Sequence, residues 1–166
     1  RFKLILKFKA QMQKTKIVQN FGRNVRFQPK HIYSPNNKVE LIDILQKHNS
    51  GKIRVVASKH SWSDLIETED VLIDMSNFNY VRVQEKNHKT YVTVGAGCTV
   101  KHLLAELSKK GLTIPSVGLI AEQTIAGATA TGTHGSGKHS LSHYIESLQL
   151  ACFDETGKSA QIVNIT

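Results

Sequence analysis

The sequence predicts an α+β fold of small mixed sheets and packed helices, and three observations carry that prediction. Strand-type and helix-type periods alternate over the first hundred residues. Two pairs of β-branched runs flank polar turns as hairpins, and a long glycine-rich segment around residue 130 fits neither period. At 166 residues, 40% hydrophobic and 21% charged, the chain is long enough to bury a core without disulfide or metal staples. No apolar run approaches the roughly 20 residues needed to span a bilayer.

The first element is a basic arm, taken as residues 1–18. Arg1, Lys3, Lys7, Lys9, Lys14 and Lys16 supply six of the nine net positive charges with no acid among them. With the charge concentrated there, nucleic-acid binding by the rest of the chain is not expected. The arm reads as a solvated N-terminus or as a peripheral contact for an acidic membrane surface. Its apolar residues fit a strand (Phe2, Leu4, Leu6, Phe8) and a helix face (Ile5, Phe8, Met12) equally, so its conformation is left open.

After the arm, HIYSPNN gives a short strand and a turn. Val39 to His48 follows with Val39, Ile42 and Leu45 at helical spacing, Asn36 or Asn37 as N-cap and Ser50-Gly51 as the stop. Residues 53–57, IRVVA, read as a buried-type strand, which makes a strand, helix, strand unit ending in the polar loop SKHSWSD. In open α/β sheets, loops at the carboxyl ends of strands are where ligands sit. Residues 70–78 (DVLIDMSNF) are a further strand, and VRVQ and YVTVGAG form a hairpin around EKNHKT. Thr99 caps a helix over VKHLLAELSKK that Gly111 stops. ESLQLACF and SAQIVNI close the chain as a second hairpin around DETGK. Cys98 and Cys152 lack any C-x-x-C spacing, and each stands among apolar neighbours as a buried, reduced thiol would. Together with the lack of a signal-peptide pattern, this points to a cytoplasmic chain.

Two loops carry the chemistry. Thr124 to Gly137, TIAGATATGTHGSG, has no side chain larger than isoleucine or histidine, and so many glycines suit backbone laid closely against a flat or phosphorylated ligand. From Gly132 the residues GTHGSGKH come near the phosphate loop GxxxxGK[ST], but His139 stands where the magnesium-binding hydroxyl belongs and AGATAT is a poor leading strand. A P-loop-like nucleotide-binding module is the alternative on this ground. His139 and His143 are four apart, yet no fixed pattern of histidines and acids completes a zinc site, and no metal ligand is assigned. In the other loop, ASKHSWSD, His60 stands among Ser58, Ser61 and Ser63 after a strand, where successive backbone N–H groups make an anion nest. Two such loops suit a dinucleotide with two phosphates.

Together, VVASKHSWSD and TIAGATATGTHGSGKHSL resemble the FAD-binding domain of the vanillyl-alcohol oxidase family, most closely its aldonolactone and alditol oxidase branch. The resemblance covers residues 19–166 and implies a two-lobed, PCMH-type FAD-binding domain. It implies that the backbone of Val56, Ala57, Ser58, Lys59, His60 and Ser61 wraps the FAD pyrophosphate, and that His60 stands where many members bond the flavin 8α-methyl through an imidazole nitrogen. Gly118, Thr124, Gly127, Thr131, Gly132, Thr133 and His134 would line the flavin and its phosphates. Ala57-Ser58-Lys59 replaces the commoner glycine-rich lead-in to the histidine.

The activity implied is a flavin-dependent oxidoreductase acting on a sugar lactone, polyol or related alcohol. In the resemblance Gly118 falls at the position beside the flavin ring where a small residue leaves a path for oxygen, so an oxidase is expected; its other reading is a turn residue with positive φ. Members of the family carry a further C-terminal substrate domain that supplies the base, so no catalytic acid or base is assigned among these residues. A non-catalytic, membrane-associated flavin-fold module with the arm as its working part is the remaining alternative.

Overall fold

A computed structural model of the chain describes residues 12–13, 16–137 and 139–166. Most of the basic arm lies outside the described residues, and so does Lys138. Four short strands make the main sheet: β1 (Met12–Gln13), β4 (His31–Tyr33), β5 (Ile53–Val56) and β6 (Val71–Asp74), in the order β1-β4-β6-β5. β4 and β5 each run parallel to β6, and β1 pairs antiparallel to β4. Between β1 and β4, β2 (Val18–Gln19) and β3 (Arg26–Phe27) form a small antiparallel ribbon.

Period-two alternation divides the core at β6. Val71 and Ile73 face a cluster with Tyr33, Leu41, Ile44, Leu45, Met75 and Phe78, while Leu72 faces Val18, Val25, Phe27, Ile32, Val56 and Ile66. The first cluster is built by α1 (Lys38–Lys47). Its N-cap is Asn37, whose side chain accepts from Glu40 N, while the buried Glu40 carboxylate accepts in return from Asn36 N at 2.8 Å, a reciprocal arrangement akin to a capping box.

Sequence reasoning differs from the structure here in one strand. β5 is the sheet edge and Val55 is 55% exposed, whereas β6 is the strand buried on both faces. A β-branched run carries no information on which neighbour it pairs with, and β6 inserts between the two strands that flank α1.

A second lobe follows. β7 (Val81–Lys86) and β8 (Lys89–Val94) form a hairpin whose turn is only Asn87-His88, both at positive φ (51° and 59°), tighter than the six-residue turn the sequence suggests. Val81, Val83, Val92 and Val94 pack against Cys98, Leu103 and Leu107 of α2 (Val100–Ser108) and its approach. Thr99 caps α2 by accepting from His102 N, and Gly111 ends it at φ 67°, with Leu112 N donating to Leu107 O and Gly111 N to Ser108 O in a Schellman closure.

The glycine-rich segment is not one continuous loop. It contains α3 (Ile125–Ala130), capped by Thr124 and closed at Gly132 (φ 65°), where Thr133 N donates to Ala128 O. Ala128 is fully buried against Val100 and Leu141, the latter opening a 3₁₀ turn over Leu141–Tyr144. A helix this short has almost no propensity signal and is held by its cap and by docking. Finally β9 (Leu148–Phe153) and β10 (Ala160–Ile165) form a hairpin that returns to the first lobe. Ala151, Phe153 and Ala160 cover the α1 cluster, and the Gln46 side chain bonds Lys158 O at 2.7 Å and Ala160 N at 2.9 Å. Cys98 is buried as expected, but Cys152 on β9 is only half-buried.

Candidate functional site

The loops at the carboxyl ends of β5 and β6 meet the start of the second lobe across a cleft of about 220 Å³. Ser58, Ser76, Asn79, Gly97, Thr99, His102 and Thr124 line it. The geometry follows from backbone contacts. Gly97 N donates to Phe78 O at 3.0 Å, and a Cβ on Gly97 would stand 1.9 Å from Met75 O, so this glycine is what lets the loop after β8 lie on the loop after β6. Thr99 and Thr124 form an isolated antiparallel bridge, and Ile125 N donates to Cys98 O at 2.8 Å. The N-caps of α2 and α3 therefore both border the cleft.

The loop after β5 is pinned from outside. Phe21 N donates to Lys59 O at 3.0 Å, Asn20 Nδ2 to Ser61 O at 2.9 Å, and Val56 O accepts from Met75 N at 2.8 Å. The His60 ring stacks on Phe21 (centroids 4.4 Å apart, 17° between planes), with Trp62 edge-on to the same phenyl. His60 Nδ1 is buried and has no hydrogen-bond partner among the described residues. Lys59 sits at φ 57°, and its ammonium lies 3.3 Å from Asp74 Oδ2 and 3.1 Å from Ala57 O.

A second group of expected site residues gathers elsewhere. Gly135 N donates to Ser116 Oγ at 3.1 Å, and a Cβ on Gly118 would meet Thr133 Cγ2 at 2.9 Å, so residues 116–118 lie directly against 133–135. Gly118 is not among the residues at positive φ, which removes its reading as a left-handed turn residue; a Cβ here would have to displace the Thr133 methyl. Gly132 serves the end of α3. Thr131 Oγ1 donates back to Gly127 O at 3.0 Å and lies 3.2 Å from Thr133 Oγ1. The His134 Nδ1–H donates to Gly135 O at 2.8 Å.

Of the residues singled out from the sequence, Ser58 and Thr124 share the cleft; His60 is turned toward Phe21. Sequence reasoning missed Ser76, Asn79, Gly97, Thr99 as a cleft residue, and His102. The pair Gly95-x-Gly97 at the end of a hairpin was the available signal, since two glycines leaving a strand mark a close backbone approach. His139 and His143 stack face to face (4.0 Å, 18°), so their nitrogens do not converge. Among the described residues no three histidine, cysteine or acidic side chains gather as metal ligands. The segment entering Gly132 is a helix, not the buried strand that a P-loop needs.

The FAD binding domain family matches residues 29–159, most of the chain. The chain belongs to that family. This FAD-binding domain is 44% identical over 148 residues to a long-chain alcohol oxidase from an uncultured marine euryarchaeote, a match spanning 89% of the chain and 31% of that protein. It is 40% identical over 107 residues to a putative D-arabinono-1,4-lactone oxidase of Neurospora crassa (63% of the chain, 19% of that protein). It is 35% identical over 127 residues to an L-gulono-1,4-lactone dehydrogenase of Mycobacterium tuberculosis (74% and 29%). The chain thus spans less than a third of the length of these relatives. Among solved structures, cholesterol oxidase from B. sterolicum superposes with a TM-score of 0.82 at 19% identity over 99% of this chain and 35% of that one. Glucooligosaccharide oxidase from Acremonium strictum, which carries a 6-S-cysteinyl, 8α-N1-histidyl FAD, superposes with a TM-score of 0.76 at 16% identity over 92% and 34%. These two likenesses show the fold.

The residues present fit the cofactor of this domain family. The cleft offers hydroxyls and helix N-caps and is lined by no carboxylate, which suits a diphosphate. At about 220 Å³ it is smaller than the ~300–1,000 Å³ of pockets that enclose a whole drug-sized ligand, so it would hold only part of an FAD. The orphaned Nδ1 of His60 is a buried polar atom that no described residue satisfies. No described helix is long and apolar enough to cross a membrane.

Proposed function

We propose that this domain is the FAD-binding part of an oxidoreductase that oxidises a sugar lactone, polyol or related alcohol, with FAD bonded through His60 and oxygen as the electron acceptor. The observation that carries the cofactor attachment is the unpartnered, buried Nδ1 of His60 on the loop after β5. Among the described residues three buried side-chain nitrogens lack a hydrogen-bond partner, His31 Nδ1, Arg54 Nε and His60 Nδ1, and of these only His60 stands on a loop at the carboxyl end of a strand, where a ligand can reach it. Nδ1 is also the nitrogen that an N1-histidyl linkage uses. Stacking on Phe21 fixes the ring plane, and the bond of Phe21 N to Lys59 O fixes the loop, so the imidazole is held before any cofactor arrives.

FAD supplies the redox chemistry, accepting hydride from the carbinol carbon of the substrate. The chain's own residues hold and orient it. Ser58, Ser76, Thr99 and Thr124 provide hydroxyls around the diphosphate, and the pressed segments 116–118 and 133–135 provide backbone at close range. The lactone and alcohol substrates named for the relatives support the substrate class, and no residue here is assigned as the base that takes the hydroxyl proton. The basic arm, residues 1–18, is read as peripheral to this task, with contact to an anionic membrane surface as its proposed use.

The test is acid precipitation of the full chain. The parent should give a yellow pellet, and His60→Ala should fold, bind FAD, and release it entirely into the supernatant. Flavin remaining with the denatured variant, or a parent that releases all of its FAD, refutes attachment at His60.

A further inference from the structure

We infer that Lys59 and Asp74 form a charge lock that neutralises the phosphate-binding cleft and offers it a cation, and that Lys59 occupies a backbone position suited to glycine for the sake of its ammonium. The inference rests on the FAD reading above and deepens it. Lys59 lies at φ 57°, in the left-handed region that side chains other than glycine, asparagine and aspartate avoid. The backbone alone would favour glycine, so the lysine is not explained by the turn.

The ammonium explains it. Asp74 ends β6, and its carboxylate accepts from Ser76 N at 3.0 Å and from the Ser76 hydroxyl, which places it beside a cleft that Ser76 itself lines. Alone, that charge would repel a diphosphate. Lys59 Nζ, 3.3 Å from Asp74 Oδ2, cancels it and ties the loop after β5 to the loop after β6, the two loops that carry Ser58 and Ser76 into the cleft. The side chains of Lys59 and Asp74 are 31% and 22% exposed, so the pair is screened less than one at the open surface. Of the three N–H groups of the ammonium, Ala57 O and Asp74 Oδ2 take two. The third is assigned to an anion bound beside Ser58, the residue next to Lys59 that lines the cleft. Lys59 is thus a positioning residue whose counter-charge is already in place.

The test compares Lys59→Gly, Lys59→Arg and Asp74→Asn in the full chain carrying His60→Ala, where no covalent bond hides a change in affinity. FAD binding is followed by flavin fluorescence at low and high salt. Lys59→Gly should weaken binding about tenfold at low salt, the value of one charge-assisted hydrogen bond, with a smaller loss at high salt. Its melting midpoint should not fall, because glycine relieves the left-handed backbone. Lys59→Arg should restore much of the affinity, and Asp74→Asn, which keeps the bonds to Ser76 but removes the negative charge, should tighten binding. Unchanged affinity in Lys59→Gly overturns the inference, as does weakening by Asp74→Asn or a drop of Lys59→Gly in stability and affinity together. A His60→Ala parent that binds no FAD at either salt concentration would instead refute the cofactor reading beneath it.

Discussion

Replacing Gly97 by alanine tests the claim that the cleft is set by backbone contact. The added Cβ would stand 1.9 Å from Met75 O and 2.7 Å from Met75 C, inside the 3.0 Å that real Cβ atoms keep, and both are backbone atoms that cannot swing aside. The loop must move by about an ångström, an overpacking cost of ~1–3 kcal/mol. That shift also strains the bond from Gly97 N to Phe78 O, adding ~1 kcal/mol. A total of about 2–4 kcal/mol corresponds to a melting midpoint lowered by roughly 4–16 °C for a domain of this size. Gly111→Ala is the control. It has φ 67° but nothing within 4 Å of the new Cβ, so only the left-handed conformation is penalised, about 1–2 kcal/mol. Differential scanning fluorimetry of the two variants, with FAD titration alongside, reads both quantities. The reasoning requires Gly97→Ala to be the less stable and to lose FAD affinity while Gly111→Ala keeps it. Equal midpoints with equal FAD affinity would refute it.

Two further predictions follow from single positions. Gly118→Ala should slow reoxidation of the reduced flavin by air substantially while flavin stays bound, since the new Cβ meets the rotatable methyl of Thr133 at 2.9 Å and the backbone His134 O only at an ordinary 3.5 Å; stopped-flow reoxidation checks it, and equal rates would assign electron transfer to another acceptor. His48 should make the fold acid-sensitive: burial, then the charges of His31 and Lys47, hold its imidazole below 6.5 against a smaller opposing effect of Asp70. The unfolded chain then binds more protons below pH 6.5, so stability is full above that value and declines as the pH falls; His48→Gln, whose amide can pair with the Tyr33 hydroxyl in either direction, should flatten the decline in melts between pH 8 and 5.

What the sequence made legible was local chemistry. Asn37, Thr99 and Gly111 announce their helix ends because capping involves residues within four positions of one another, and both hairpins follow from short-range alternation. The position of β6 between β4 and β5 was not legible, because pairing partners are 18 to 40 residues apart and every strand there is short and apolar. The same limit applies to the site. His60 and Thr124 could be singled out from their own neighbourhoods, but Ser76 and Asn79 reach the cleft only because Gly95 and Gly97 allow one loop to rest on another. Phe21 stacks on His60 from a turn that sequence gave no reason to connect with it.

The strand order also dictates when the first lobe can come into being during synthesis. β6 is the last of the three parallel strands to leave the ribosome and the one that lies in the middle. Until residue 74 has emerged, neither β4 nor β5 has its parallel partner, and α1 has no Val71 and Ile73 to cover. A nascent chain stalled before that point would hold two open strand edges and an uncovered apolar helix face, the combination that recruits other chains. The parallel sheet therefore cannot close before Val71–Asp74 has emerged, and the cleft, which also needs Gly97, Thr99 and Thr124, and the cover that Ala151, Phe153 and Ala160 give the α1 cluster come only later.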